Sequence, residues 1–382
     1  MKFSIEKREV SSMTLLVCRA ASHISNKNSI SSLSGILIEA SREKGLTMTA
    51  TDMEIGIIAS SHKVDVQEEG KVLVNANLFS DFIKLLPDME ITAEFDAQRN
   101  KLKVSYGKSF SYINLYSEEG YPELPIDQME TIIELPKYQL REALKKTAFA
   151  AAGQHFRQIF TGILFDGKGD GTLHVVASDT HRMACFACPL EGTGTNAAVR
   201  FIVPKRTVDE LLRVLDDSDE MIYIAMNQNN IVFYYEQFLM FSRVIEGQYP
   251  NYEMVIPSAF QTEFALDAQV LTTALERSRI MPPDEKFKIP NIQMNIEESG
   301  LTIDTVSENM GEIREFLDDI EIQGNTGFHI LFNTNYFLDI AKILSQETDK
   351  LRIRMSGPLG AAAISNPEKD NYVYVLVPLR SA

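Results

Sequence analysis

Cysteine is scarce, three in 382 residues. That count excludes a disulfide framework and points to a reducing, cytoplasmic setting. No run of about 18 apolar residues occurs, so no membrane-spanning helix is expected. HExxH, GxSxG and GxxxxGK(S/T) are absent, as are carboxylates clustered at metal-ligand spacing. No metal, no cofactor and no catalytic centre are therefore expected. Basic residues are the minority, 37 Lys and Arg against 53 Asp and Glu, for a net charge of −16. Taken alone, that balance argues against a nucleic-acid partner, whose phosphates require cations. The opening MKFSIEKREV alternates polar and apolar residues and carries acids, which reads as a strand and not as a secretion signal.

What is present is enough apolar residue, 45%, to fill real cores. The informative stretch is 162–183, GILFDGKGDGTLHVVASDTHRM. Ile163 and Phe165, then Leu173, Val175 and Ala177, recur at period two, so each strand buries one face. Gly169-Asp170-Gly171 supplies the turn. The pattern is repeated at 35–57, GILIEASREKGLTMTATDMEIGI, and more weakly at 292–314. A unit this long implies three similar domains rather than a short-repeat solenoid. Proline-bearing junctions at Tyr121-Pro122 and Tyr249-Pro250 set domain limits of 1–129, 130–257 and 258–382. Each third reads as strand, helix, hairpin, strand, helix and closing meander. The fold class expected is α+β, with two helices packed on antiparallel sheet in each domain, and a long contiguous sheet on the opposite face.

The six helices expected, at 11–24, 77–87, 137–150, 205–216, 267–279 and 333–346, sum to +4. Lys137, Arg141, Lys145 and Lys146 against Glu142 give +3 to one of them, leaving −20 elsewhere. A neutral-to-basic helix row on an acidic protein suits a polyanion; ordinary helix surface chemistry is the plainer reading. Asp179 and His181 are a loop satisfying its own backbone, a ligand-binding loop or, last, a general-base pair. Cys185 and Cys188 lie on a strand-like stretch where positions three apart face opposite ways, as buried thiols would.

Ala50-Thr51-Asp52-Met53-Glu54, the 178–183 loop, Ser242-Arg243-Val244-Ile245-Glu246-Gly247-Gln248-Tyr249-Pro250-Asn251-Tyr252 and Tyr374-Val375-Leu376-Val377-Pro378-Leu379-Arg380 together resemble the bacterial β sliding clamp family. The likeness spans the whole chain in order. It implies a non-enzymatic, head-to-tail homodimeric ring that encircles double-stranded DNA without reading its sequence. It also implies a pocket for short linear motifs of the replicative polymerase, clamp loader and repair proteins. By position that pocket would comprise Phe160, Ser178, Thr180, His181, Arg182, Met183, Pro250, Val255, Phe287, Val375, Leu376, Val377, Pro378, Leu379 and Arg380. DNA contact would fall to Lys27 and to the loop carrying Gln154 and Arg157, with Arg141 and Lys145 from the basic helix. Phe110 and Tyr112, on one face of a strand, would meet Ile280 and Met281 of a second copy. Thr180 stands where the family usually has glycine, and Met254 replaces a common basic residue. The alternative reading is a three-domain peptide-binding scaffold without DNA encirclement.

Overall fold

The computed structural model describes residues 1–21, 31–190, 198–227, 229–283, 288–318 and 320–380. Lys27 and Phe287 of the expected sites lie outside them. Packing divides the chain into two compact units, Met1–Tyr138 with Asp209–Val244, and Gln139–Val208 with Ile245–Ala382. The middle third is thus shared between the units.

Six α-helices occur among the described residues: α1 Lys7–Val17, α2 Ala76–Leu85, α3 Lys137–Thr147, α4 Lys205–Val214, α5 Ala268–Ser278 and α6 Thr334–Leu344. Each directly follows a strand, as the repeat requires. Helices α2, α5 and α6 begin on a capping side chain. Asn75 accepts from the Leu78 amide, Asp267 from Val270, and Asn333 from Asn335 and Tyr336. Each cap is worth about 1 kcal/mol. Helix α1 starts four residues before the expected position, because the strand Lys2–Glu6 passes into it without a loop. Its buried stripe is Val10, Met13, Thr14 and Val17, and Leu16 is only half-buried.

All strand pairs are antiparallel. In the first unit thirteen strands form one sheet, and in the second unit nine strands form another, with a separate four-stranded sheet. Both long sheets cross the boundaries of the sequence repeat. Phe238–Arg243 of the middle third pairs with Ile55–Ser61 of the first. Arg182–Pro189 of the middle third pairs with Tyr372–Leu376 of the last. A strand left at the end of one repeat finds its partner in another, and the two pairings cover four strand edges that would otherwise be exposed.

The hairpin at 162–178 folds as its sequence dictates. Gly169 and Gly171 have φ of 76° and 83°, and Leu164 faces Val176 across the ladder. One expectation fails there. Period two implied a single buried face, yet Leu164 and Val176 are as fully buried as Ile163 and Val175. The second face is covered by the chain that follows, whose Tyr249 and Tyr252 pack onto it. Residues 118–126 follow a similar course in the first unit. There Leu124 lies so close to Gly56 that a Cβ at that position would come within 2.5 Å of it.

Candidate functional site

Two repeated loops follow the second strand of each hairpin, and they share every backbone device. Thr51 and Ser178 accept from the amides of Met53 and Thr180. Asp52 accepts from Glu54 and Ile55, and Asp179 accepts from His181 and Arg182 at 3.0 Å each. Met53 and Thr180 both sit at φ 76°, in the left-handed region that favours glycine. The Asp179 carboxylate therefore serves the backbone and the Arg182 guanidinium, and it forms no acid–base pair with the exposed His181 side chain.

Among the described residues, the second loop stands beside segment 377–380, which follows the last strand of its sheet. After Leu376 pairs with Arg182, the Val377 amide donates to the His181 carbonyl at 3.0 Å, and the Leu379 amide donates to the Leu331 carbonyl at 2.8 Å. Beneath this corner, Phe160, Met183 and Val375 join Tyr249 and Tyr252 in one apolar cluster. Val255 and Val377 are 46% and 37% exposed, and Thr180 and His181, just before Met183 in the sequence, are also exposed. Pro250 is half-buried, Pro378 buried, and Arg380 exposed. Ser178 donates its hydroxyl to the Arg182 carbonyl, and Leu376 is fully buried. An open cleft of about 590 Å3 continues along Phe328–Leu331, bordered by Pro358, Leu359, Leu379 and Arg380. Leu359, 74% exposed, escaped the sequence reading because Ser356-Gly357-Pro358 spoke only of a turn.

Arg182 is placed elsewhere than expected. It turns inward, with Nε 3.0 Å from Asp179, Nη1 2.6 Å from Asp339 on α6, and Nη2 donating to the Phe149 carbonyl at 2.8 Å. Its guanidinium lies 4.1 Å from the centre of the Tyr336 ring. Each of its three nitrogens donates to a group within the fold. Periodicity could not reveal this, because it treats a charged residue in a loop as solvated.

The linker at 249–255 is held by a polar cluster on the hairpin. Lys168 Nζ lies 2.9 Å from Asp166 and 2.7 Å from Glu253, and the Tyr252 hydroxyl donates to Asp166 at 2.9 Å. Burial alone would raise the Asp166 carboxyl. The bonds from Lys168 and Tyr252 outweigh it and hold that group below the ordinary carboxylate range. Burial, aided by the Lys168 charge, holds His174 below its ordinary value. Cys185, 3.7 Å from His174, is pushed up by burial to about 12, and Cys188 is raised further. Both thiols are buried and free, as the strand reading of that pair required.

The basic-helix expectation needs correction. Lys137 is buried, paired with Glu220 and lying 3.6 Å from the Tyr235 ring centre. Lys146 is also buried, 2.6 Å from Glu142 and 2.7 Å from Glu347. Both fall on the packed side of α3, where a sum of charges over the helix cannot distinguish them. Lys145 is exposed, and Arg141 is half-buried. Across all six helices, exposed Arg8, Lys84, Lys145, Arg206, Arg213, Arg277 and Lys342 stand against exposed Asp81 and Glu276 alone. Gln154 and Arg157 are exposed on a short loop closed by the Ala152 amide donating to the Phe160 carbonyl at 2.9 Å.

Phe110 is 57% exposed and meets Tyr112 edge-on with centroids 5.5 Å apart, so the two share a face. Their strand, Ser109–Tyr116, pairs along one edge with Lys101–Tyr106. On the other edge only Leu115 and Tyr116 have partners. In the second unit Ile280 is 78% exposed and Met281 half-buried. The outermost strand of the four-stranded sheet, Gly311–Leu317, carries Phe316 at 54% exposure.

Models of the DNA polymerase III beta subunit match the chain in three consecutive pieces. The N-terminal domain model covers 1–125, the central domain 134–251 and the C-terminal domain 253–380. The chain belongs to the bacterial β sliding clamp family. The beta sliding clamp of Vibrio cholerae is 29% identical over 381 residues, with all of both chains covered. That of Halalkalibacterium halodurans is 27% identical over 94% of each. The solved sliding clamps of Bacillus subtilis and Pseudomonas aeruginosa each superpose at a TM-score of 0.91 over all of both chains, at 25% and 26% identity. The function is that of a DNA sliding clamp in replication, and a scaffold that does not encircle DNA is not favoured. No helix among the described residues is long and apolar enough to cross a membrane.

Arg182→Ala would remove the guanidinium that joins Asp179, the Phe149 carbonyl and the half-exposed Asp339, and we expect a loss of about 1.5–3 kcal/mol in denaturant unfolding; a loss under about 0.5 kcal/mol would show that these bonds do not hold the loop to α6. His174 has a folded pKa below its unfolded value. Its contribution is therefore complete above about pH 6.5 and is lost as pH falls through the folded value. Melting temperature should drop between about pH 7 and 5, and less so in His174→Gln; identical profiles would rule out this histidine as a titrating group.

Proposed function

We propose that two copies of the chain meet end to end to close a ring around duplex DNA, with domains at 1–129, 130–257 and 258–382. The observation that carries this reading is a pair of strand edges without a partner among the described residues, one at 109–114 and one at Gly311–Leu317, each bearing an exposed phenylalanine. An exposed edge with an aromatic residue on it is a template for another chain. Phe110 and Tyr112 of one copy would seat beside Ile280 and Met281 of the other. A depression of about 350 Å3 lined by Glu276, Arg279, Ile280 and Lys342 offers room for a ring there. The helix cations support contact with phosphate at long range, and Arg141, Lys145, Gln154, Arg157 and Lys27 are the proposed DNA contacts. Weak, non-directional attraction lets DNA slide, while closure of the ring prevents its escape.

The pocket at Phe160, Met183, Pro250, Val255, Val375 and the 376–380 tail would take leucine and phenylalanine anchors of short motifs. Polymerase, clamp loader and repair proteins are its proposed occupants. The chain would work in the cytoplasm, without metal or cofactor and without catalysing a reaction. Two measurements test the assembly. After loading, the protein should stay on circular duplex DNA and run off the same DNA once linearised; equal retention on both would end the ring reading. In light scattering the wild-type chain should have twice the mass of the chain, and Phe110→Asp should halve it; an unchanged mass would remove this edge from the interface.

A further inference from the structure

The chain contains two linkers in equivalent positions, and they provide an internal comparison. Tyr121-Pro122-Glu123-Leu124 corresponds to Tyr249-Pro250-Asn251-Tyr252, and each crosses the same hairpin of its repeat. The first is seated by an apolar side chain, Leu124 against Gly56. Its nearest ion pair, Lys71 with Glu118, spans 3.7 Å with both partners partly exposed. A cavity of about 200 Å3 remains under it. The second linker is seated by tyrosine and charge. Asp166 stands where the first repeat has Glu39, Lys168 where it has Ser41, and Tyr252 where it has Leu124. The three close a network with Glu253 at 2.7–2.9 Å, around a carboxylate only 6% exposed. Lys168 also lies 5.1 Å from the Tyr252 ring centre.

Only the linker that carries Pro250 and Val255 is fastened this way. Tyr252 and Glu253 fall between those two residues in the sequence. We propose that Lys168, Asp166 and Tyr252 are positioning residues for the peptide pocket. They contact no peptide themselves. They fix the 250–255 segment against the hairpin and so set the width of the groove that an anchor side chain must fill. The proposal rests on the pocket reading given above. Its physical basis is that one half-buried cation bridging two carboxylates resists displacement in more than one direction, whereas a leucine contact slides.

The test uses the full-length chain and a fluorescein-labelled synthetic hexapeptide with leucine and phenylalanine anchors behind a polar residue. Lys168→Met should release the peptide about three- to tenfold faster. Lys168→Arg should restore the rate, because it keeps both carboxylates engaged. Tyr252→Phe should fall between them. Lys71→Met, at the first linker, should bind as the wild type does. Amide exchange over 250–256 should quicken in Lys168→Met while that of the six helices stays unchanged. Wild-type release rates in both Lys168→Met and Tyr252→Phe would overturn the proposal and leave the pocket intact, as would an equal loss in Lys71→Met. Failure of the wild-type chain to bind the peptide would overturn the pocket reading and this proposal together.

Discussion

A β-strand at the end of a sheet leaves a row of amide and carbonyl groups without partners, and this chain meets that constraint by repetition. The last strand of the middle meander is completed by a strand of the first repeat, and the Cys185 strand by the closing strand of the third. The packing units therefore straddle the repeat. The copied segment is a piece of sequence, but the piece that can satisfy its own backbone is larger. Among the described residues, two further edges, at 109–114 and 311–317, have no partner strand, and in the ring proposed above a second copy completes them.

The corner proposed to bind peptides is a by-product of this arrangement. Where the middle repeat meets the first, the corresponding strand continues into further chain. Where it meets the third, the strand at Leu376 is followed by a tail that borrows hydrogen bonds from His181 and Leu331. Apolar side chains collect there because a second layer, the linker, covers a sheet face that would otherwise be wet. Charge is used sparingly and in fixed places. Arg182 and Lys146 lock the middle repeat to α6 and the turn after it, and the exposed cations are spread over the helices.

Much of the fold was legible in the residues. Glycine turns, period-two strands and apolar helix stripes name the six helices and most strands of the three repeats, though not strands such as Ile55–Ser61 and Val64–Glu68, and Phe110 with Tyr112 is visible as a paired face by counting alone. Two kinds of information were hidden. Burial of long charged side chains depends on what lies across from them, so Lys137, Lys146 and Arg182 read as surface cations although the fold encloses them. Coverage of the second face of a strand depends on chain seventy residues away. Leu164 and Val176 could have signalled it, because continuous apolar runs mark strands buried on both sides.

Thr180 shows what such tightly bonded loops imply. A β-branched residue at φ 76° is unfavourable in an unfolded or mobile segment, and the geometry persists because Ser178 and Asp179 hold the amides around it. A loop determined that closely has little freedom left to lose. A ligand settling against it meets a surface whose ordering cost was met during folding, so that even a few apolar contacts at this rim can register as affinity.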